Sequence, residues 1–213
     1  MAEFSPATQV LTAGAGITLT DGGAGSTVTV AQPNLPTYAN GTYLNSGFGQ
    51  PIFPGGYASG VMHLGNLYLP SSRSIDRIAA NCGNYTAGTL RLGAYTLADG
   101  VFARLFDAGT IDLTTARAGK EIVVNQTLPS GWVWLAALYE GVTIGSGNGV
   151  VRSSATHTSW PFCGFAPNNL NFSGISGFSF SGVTTGSLPA TQTITPASPE
   201  MANVHTVVAV RLA

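Results

Sequence analysis

The nearest acidic pair in the chain is Asp107 and Asp112. Two carboxylates at a suitable separation are all that a glycosidase needs, one to protonate the leaving oxygen and one to attack or to activate water. Both fall in the run DAGTID beside turn residues, where an aspartate hydrogen-bonds its own backbone, and that structural role outweighs catalysis. His63, His157 and His205 are isolated from one another and from Cys82 and Cys163, so a metal site would have to be assembled entirely by the fold. The two thiols fit neither a disulfide framework nor a zinc ribbon and read as small buried side chains. No nucleophile elbow or phosphate-binding loop occurs, and GSGNG at residues 145–149 lacks dinucleotide-binding spacing. Neither a catalytic residue nor a cofactor nor a metal is therefore assigned, and the chain is expected not to be an enzyme.

Recognition chemistry is better represented. The stretch from residue 141 to 200 has two formally charged residues, Arg152 and Glu200, and is rich in aromatics and in Gly, Ser, Thr and Asn. Trp160, Phe162, Phe178 and Phe180 either fill a core or a subunit interface, which is the default for large apolar rings, or stack on sugar faces or a host protein. On the second reading Asn168 and Asn169 would read hydroxyl groups, in a site made from loops on a rigid scaffold. The alternation in GFSFSG places Phe178 and Phe180 on one face of a strand.

The elements that must position these residues are strands. No long window sustains helical apolar spacing without a Gly or Pro. Residues 10–31 read VLTAGAGITLTDGGAGSTVTVA, two short alternating strands (17–20 and 27–30) around a DGGAG turn. A lone hairpin is marginal in water, so Ile17, Leu19, Val28 and Val30 must be covered by the main domain or by copies of the chain. Pro33 and Pro36 place a linker at residues 32–40, which divides the chain into a 1–40 hairpin and linker and a 41–213 β-sandwich. Runs 75–79, 90–95, 121–124, 132–139 and 204–212 are strand-like. Run 132–139 is apolar on both faces, which predicts a central strand packed on a second sheet or on a neighbouring subunit. The fold expected is all-β, an antiparallel sandwich or jelly roll with an N-terminal hairpin attachment segment.

Composition narrows the partners. The chain is 8% charged and 44% hydrophobic with net charge −1, too apolar and too weakly charged for disorder. Seven of its eight basic residues lie between Arg73 and Arg152 among six acids, so no basic face is set aside for nucleic acid. The N-terminus MAEFSP has neither a basic nor an apolar leader region, and no apolar run is long enough for a membrane helix, so no membrane insertion is expected.

Two segments carry a resemblance. LTAGAGITLTDGGAGSTVTVA is similar to the short G-x-G-I-x-[IL]-T hairpin of fibre and spike proteins of tailed bacteriophages, and residues 77–141 resemble a β-sandwich module of phage virion proteins. The module's R-L-G-x-Y, D-A-G-T, K-E-I-x-V and P-x-G-W-x-W-L-A elements fall at 91–95, 107–110, 120–124 and 129–136. The resemblance implies a homotrimeric virion component, mounted on tail or capsid through other virion proteins and adhering to a host cell-surface glycan or protein. It also admits a capsid decoration, cement or head-fibre role and, less readily, a glycan-cleaving tailspike.

Overall fold

The computed structural model of the protein describes residues 18–20, 29–31, 38–46, 51–52, 57–83, 85–116, 118–143, 152–154, 177–194, 200–202 and 204–213. The chain divides into two units, Met1–Thr37 and Tyr38–Ala213. In the first, β1 (Thr18–Thr20) and β2 (Thr29–Ala31) pair antiparallel with Leu19 opposite Val30. This is the hairpin expected from the sequence. Ile17 and Val28 lie outside the described residues, as do the side chains of Leu19 and Val30.

The second unit is built from β3 (Tyr43–Asn45), β4 (Pro51–Ile52), β5 (Met62–Leu69), β6 (Arg73–Cys82), β7 (Ala87–Ala98), β8 (Val101–Asp112), β9 (Ala118–Leu128) and β10 (Gly131–Thr143). There follow β11 (Arg152–Ser154), β12 (Gly177–Phe180), β13 (Thr191–Thr193), β14 (Glu200–Ala202), β15 (Val204–Thr206) and β16 (Val208–Leu212). No helix occurs among the described residues. A seven-stranded sheet runs β13-β8-β7-β10-β5-β12-β14, a four-stranded sheet β3-β16-β6-β9 and a three-stranded sheet β15-β11-β4. The fold is all-β, with antiparallel sheets curled into a sandwich-like half-barrel.

Period-two patterning explains where the core sits. One face of β10 sends Val133, Leu135, Ala137 and Tyr139 into a core shared with Leu90, Leu92 and Ala94 of β7, Ile75 and Ile78 of β6, and Val208, Val210 and Leu212 of β16. Full burial of each large aliphatic contributes roughly 1.5–3 kcal/mol. The other face of β10 sends Trp134, Ala136 and Leu138 into a second core with Met62, Leu64, Tyr95, Phe102, Phe178 and Phe180. This second face is covered from within the chain. Leu188 is buried in the second core, and Val183 and Ile194 pack against it. Residues 181–190 thus form a strap over the sheet before the chain joins its edge as β13, and the two-sided apolar run has its partner without a neighbouring subunit.

Strands β7 and β8 form a long antiparallel hairpin. Its two-residue loop, Asp99 (φ 50°) and Gly100 (φ 75°), joins Ala98 to its pairing partner Val101. Left-handed backbone at both positions is what an Asp-Gly loop supplies. DAGTID, whose composition suggests turns, lies within β8. The register shifts between Leu92 and Gly93 and again between Ala94 and Tyr95. These bulges interrupt the alternation that would have revealed the strand.

Candidate functional site

The polar groups on the strap side of the seven-stranded sheet form one network. Arg91 Nε donates to Glu140 Oε1 at 2.8 Å, and Arg91 Nη1 donates to Asp107 Oδ1 at 3.3 Å. The same carboxylates hold the strap, because Gly186 N–H donates to Glu140 Oε1 at 2.8 Å and Leu188 N–H to Asp107 Oδ2 at 2.9 Å. Tyr95 OH donates to the Pro189 carbonyl at 2.7 Å, and Arg104 donates to the Leu188 carbonyl. Gly93 gives the strap room, since a Cβ there would collide with the Leu188 side chain and the Phe106 carbonyl. Burial raises the Asp107 pKa, but the N–H groups of Leu188 and Gly109 and the Arg91 charge outweigh it and hold the carboxyl below the usual range.

The candidate glycosidase pair therefore separates into two structural carboxylates. Asp107 Oδ1 accepts the Gly109 N–H at 2.9 Å, and Asp112 Oδ1 accepts the Thr114 N–H at 3.0 Å. Each binds the backbone two residues on, as the turn chemistry of the sequence implied. The Asp112 carboxyl is held low chiefly by the Thr114 N–H. Asp107 shares a guanidinium with Glu140 rather than with Asp112. His63 is a core histidine. Its Nδ1 accepts the Thr206 N–H at 3.1 Å, and the Thr206 hydroxyl lies 2.8 Å from Tyr139 OH. Its ring meets Tyr57 edge-on at 4.0 Å. Cys82 is buried in the first core. The described residues contain no group of three His, Cys, Asp or Glu able to hold a metal ion. His157, Cys163 and the His205 side chain lie outside the described set.

Of the aromatics proposed to meet a receptor, Phe178 and Phe180 are corrected to core residues. Strand β12 pairs with β5, and both rings are buried, with Phe178 5.2 Å from Trp134 and 5.3 Å from Phe102 between centroids. The physical reason is the strap, which roofs the face they share and removes it from solvent. Trp160, Phe162, Asn168 and Asn169 lie outside the described residues.

The described surface offers a different aromatic site, beyond the strap on the same sheet. Tyr68 of β5 pairs with Trp132 of β10, and the next rung pairs Asn66 with Trp134. Alternation puts all four on one face. Tyr68 is 43% exposed, its ring 5.1 Å from the half-buried Trp132 ring at an interplanar angle of 54°. Asn66 is 1% exposed, yet neither Oδ1 nor Nδ2 has a hydrogen-bond partner among the described residues. Sequence alone does not reveal it, because Gly65 and Asn66 interrupt the strand pattern of MHLGNLYL. The one available signal was the Trp-x-Trp alternation of β10, which needs a partner strand to give it neighbours.

No family of known proteins, no curated protein and no solved structure matches this chain.

Proposed function

We propose that the chain is a bacteriophage virion structural protein, a homotrimeric fibre or spike that projects from tail or capsid and mediates host-surface adhesion. The observation that carries this reading is the joining of a short Thr-rich hairpin unit, of the type that resembles phage attachment segments, to a charge-poor sandwich-like β unit. The hairpin anchors the protein to other virion proteins, and the larger unit presents binding surface. The buried Phe178 and Phe180 leave this role to the Tyr68–Trp132 rung and to residues outside the described set.

Self-association has a suitable surface in β9, one of the two outer strands of the four-stranded sheet among the described residues. Val123 on this strand is 72% exposed, the most open large apolar side chain described. A long edge with a row of outward backbone groups is a ready template for another chain. Edge-to-edge contacts of unlike strands close into a ring when the rotation permits. Light scattering on the full-length protein should give about three times 21.8 kDa. Val123→Lys should shift that mass toward the monomer without lowering the melting temperature of the separated chain. A wild-type monomer at micromolar concentration would overturn the trimer. Adhesion is tested by competition: added full-length protein should block adsorption of the virus that carries it. Failure to block would turn the assignment to a decoration or cement protein.

A further inference from the structure

We propose that the Tyr68–Trp132 and Asn66–Trp134 rungs form a binding site for one hexopyranose ring, with the aromatic rung taking the apolar face of the sugar and the Asn66 amide its hydroxyls. The proposal rests on the adhesion reading for its biological partner, a host-surface glycan, but the chemistry stands on the site. A pyranose presents a patch of C–H groups on one face and hydroxyls at its rim. Tyr68 and Trp132 offer a pair of rings at the surface, and neighbouring rungs of a sheet are separated by about the width of such a ring. Asn66 offers a donor and an acceptor side by side, the pattern that reads adjacent hydroxyls.

The decisive feature is the enclosed amide without a partner. A buried polar group left unbonded is destabilising, and the residues that the register sets beside Asn66 on this face, Leu64, Tyr68 and Trp134, leave its amide without a partner. A leucine would fill the same place without that penalty. Stability that is forgone at one position points to a use for the group. Tyr68 lies two residues along on the same face, and its exposed ring can swing outward without leaving a core, which opens the way to the amide.

The test uses the full-length protein, with methyl glucopyranosides, galactopyranosides and mannopyranosides and N-acetylglucosamine as probes, followed by tryptophan emission. At least one probe should give a saturable response in the millimolar range that is unchanged by added salt, since both partners are uncharged. Tyr68→Ser, at an exposed position that folding does not need, should weaken binding about tenfold. Asn66→Leu should abolish it while raising Tm by about 2–4 °C, a combination that a structural asparagine does not give. A flat response to every probe, wild-type affinity in Asn66→Leu, or a lowered Tm in that variant would overturn the site. Adsorption assays separate the two readings. Full-length protein that blocks adsorption but binds no sugar overturns the site alone, whereas sugar binding without blocking overturns adhesion and leaves the site standing.

Discussion

Arg91→Met is expected to lower stability by about 3 kcal/mol, because it leaves the largely buried carboxylates of Asp107 and Glu140 facing one another without their shared counter-charge. In a chain of this size that corresponds to a fall in Tm of about 6–12 °C. The hydrogen bond to Glu140, helped by the Asp107 charge and opposed by burial, holds the Arg91 pKa above its ordinary value, so the ion pair persists at every pH at which the carboxylates are charged. The loss should extend beyond the pair. Both carboxylates also hold strap N–H groups, and their repulsion would loosen residues 186–188 and uncover Leu188. Adding Asp107→Asn and Glu140→Gln to Arg91→Met should recover part of the loss, since removing all the charges is less harmful than orphaning two of them. Thermal melts followed by circular dichroism decide it, and a Tm within about one degree of wild type would show that solvent screens the site.

The same network sets an acid limit. The folded pKa of Asp107 lies below the unfolded value of about 3.9, so its contribution is complete above that value and disappears as pH falls through the folded pKa. Urea midpoints should hold steady from neutral pH down to roughly pH 5 and then decline below about pH 4. Asp107→Asn should flatten part of that decline. The remainder belongs to Asp112 and to Asp76, whose carboxyl is held low chiefly by its hydrogen bonds from Arg211. A midpoint that declines between pH 8 and pH 6 instead would implicate a histidine.

What was legible in the sequence follows from how each element is packed. The hairpin around DGGAG and strands β6, β7, β9 and β10 announce themselves through alternation or through apolar runs between turn residues. Strand β8 does not, because two bulges shift its phase and a Gly109 at φ 91° gives DAGT the composition of a turn. The strap is invisible for a different reason: its anchors are backbone groups reaching carboxylates on strands about 46 and 81 positions away, and no local pattern encodes such a contact. The site residues divide the same way. Alternation puts Phe178 and Phe180 on one strand face, but whether that face is roofed depends on the strap. Asn66 gives no sign in sequence that its amide is enclosed, since that property belongs to its cross-strand neighbours.

Phe102→Ala should be the most damaging single substitution described here, lowering stability by about 3–5 kcal/mol. Phe102 is fully buried at the hub of the second core, 5.3 Å from both Trp134 and Phe178 and 6.0 Å from Phe180 between centroids, each in an edge-to-face arrangement. Truncation removes those contacts and leaves a cavity between a sheet and a strap that cannot both collapse into it, the strap being tied to Asp107, Glu140 and Tyr95. The experiment also separates the two origins considered for an apolar face on β10. If the second core belongs to one chain, the loss measured by urea melts is the same at every protein concentration. If the face were completed by a neighbouring subunit, the loss would grow with dilution, because association would then contribute to the folded state by mass action. The strap predicts the first outcome, and under the trimer proposed above Phe102→Ala would weaken the fold of each protomer while Val123→Lys would weaken only their association.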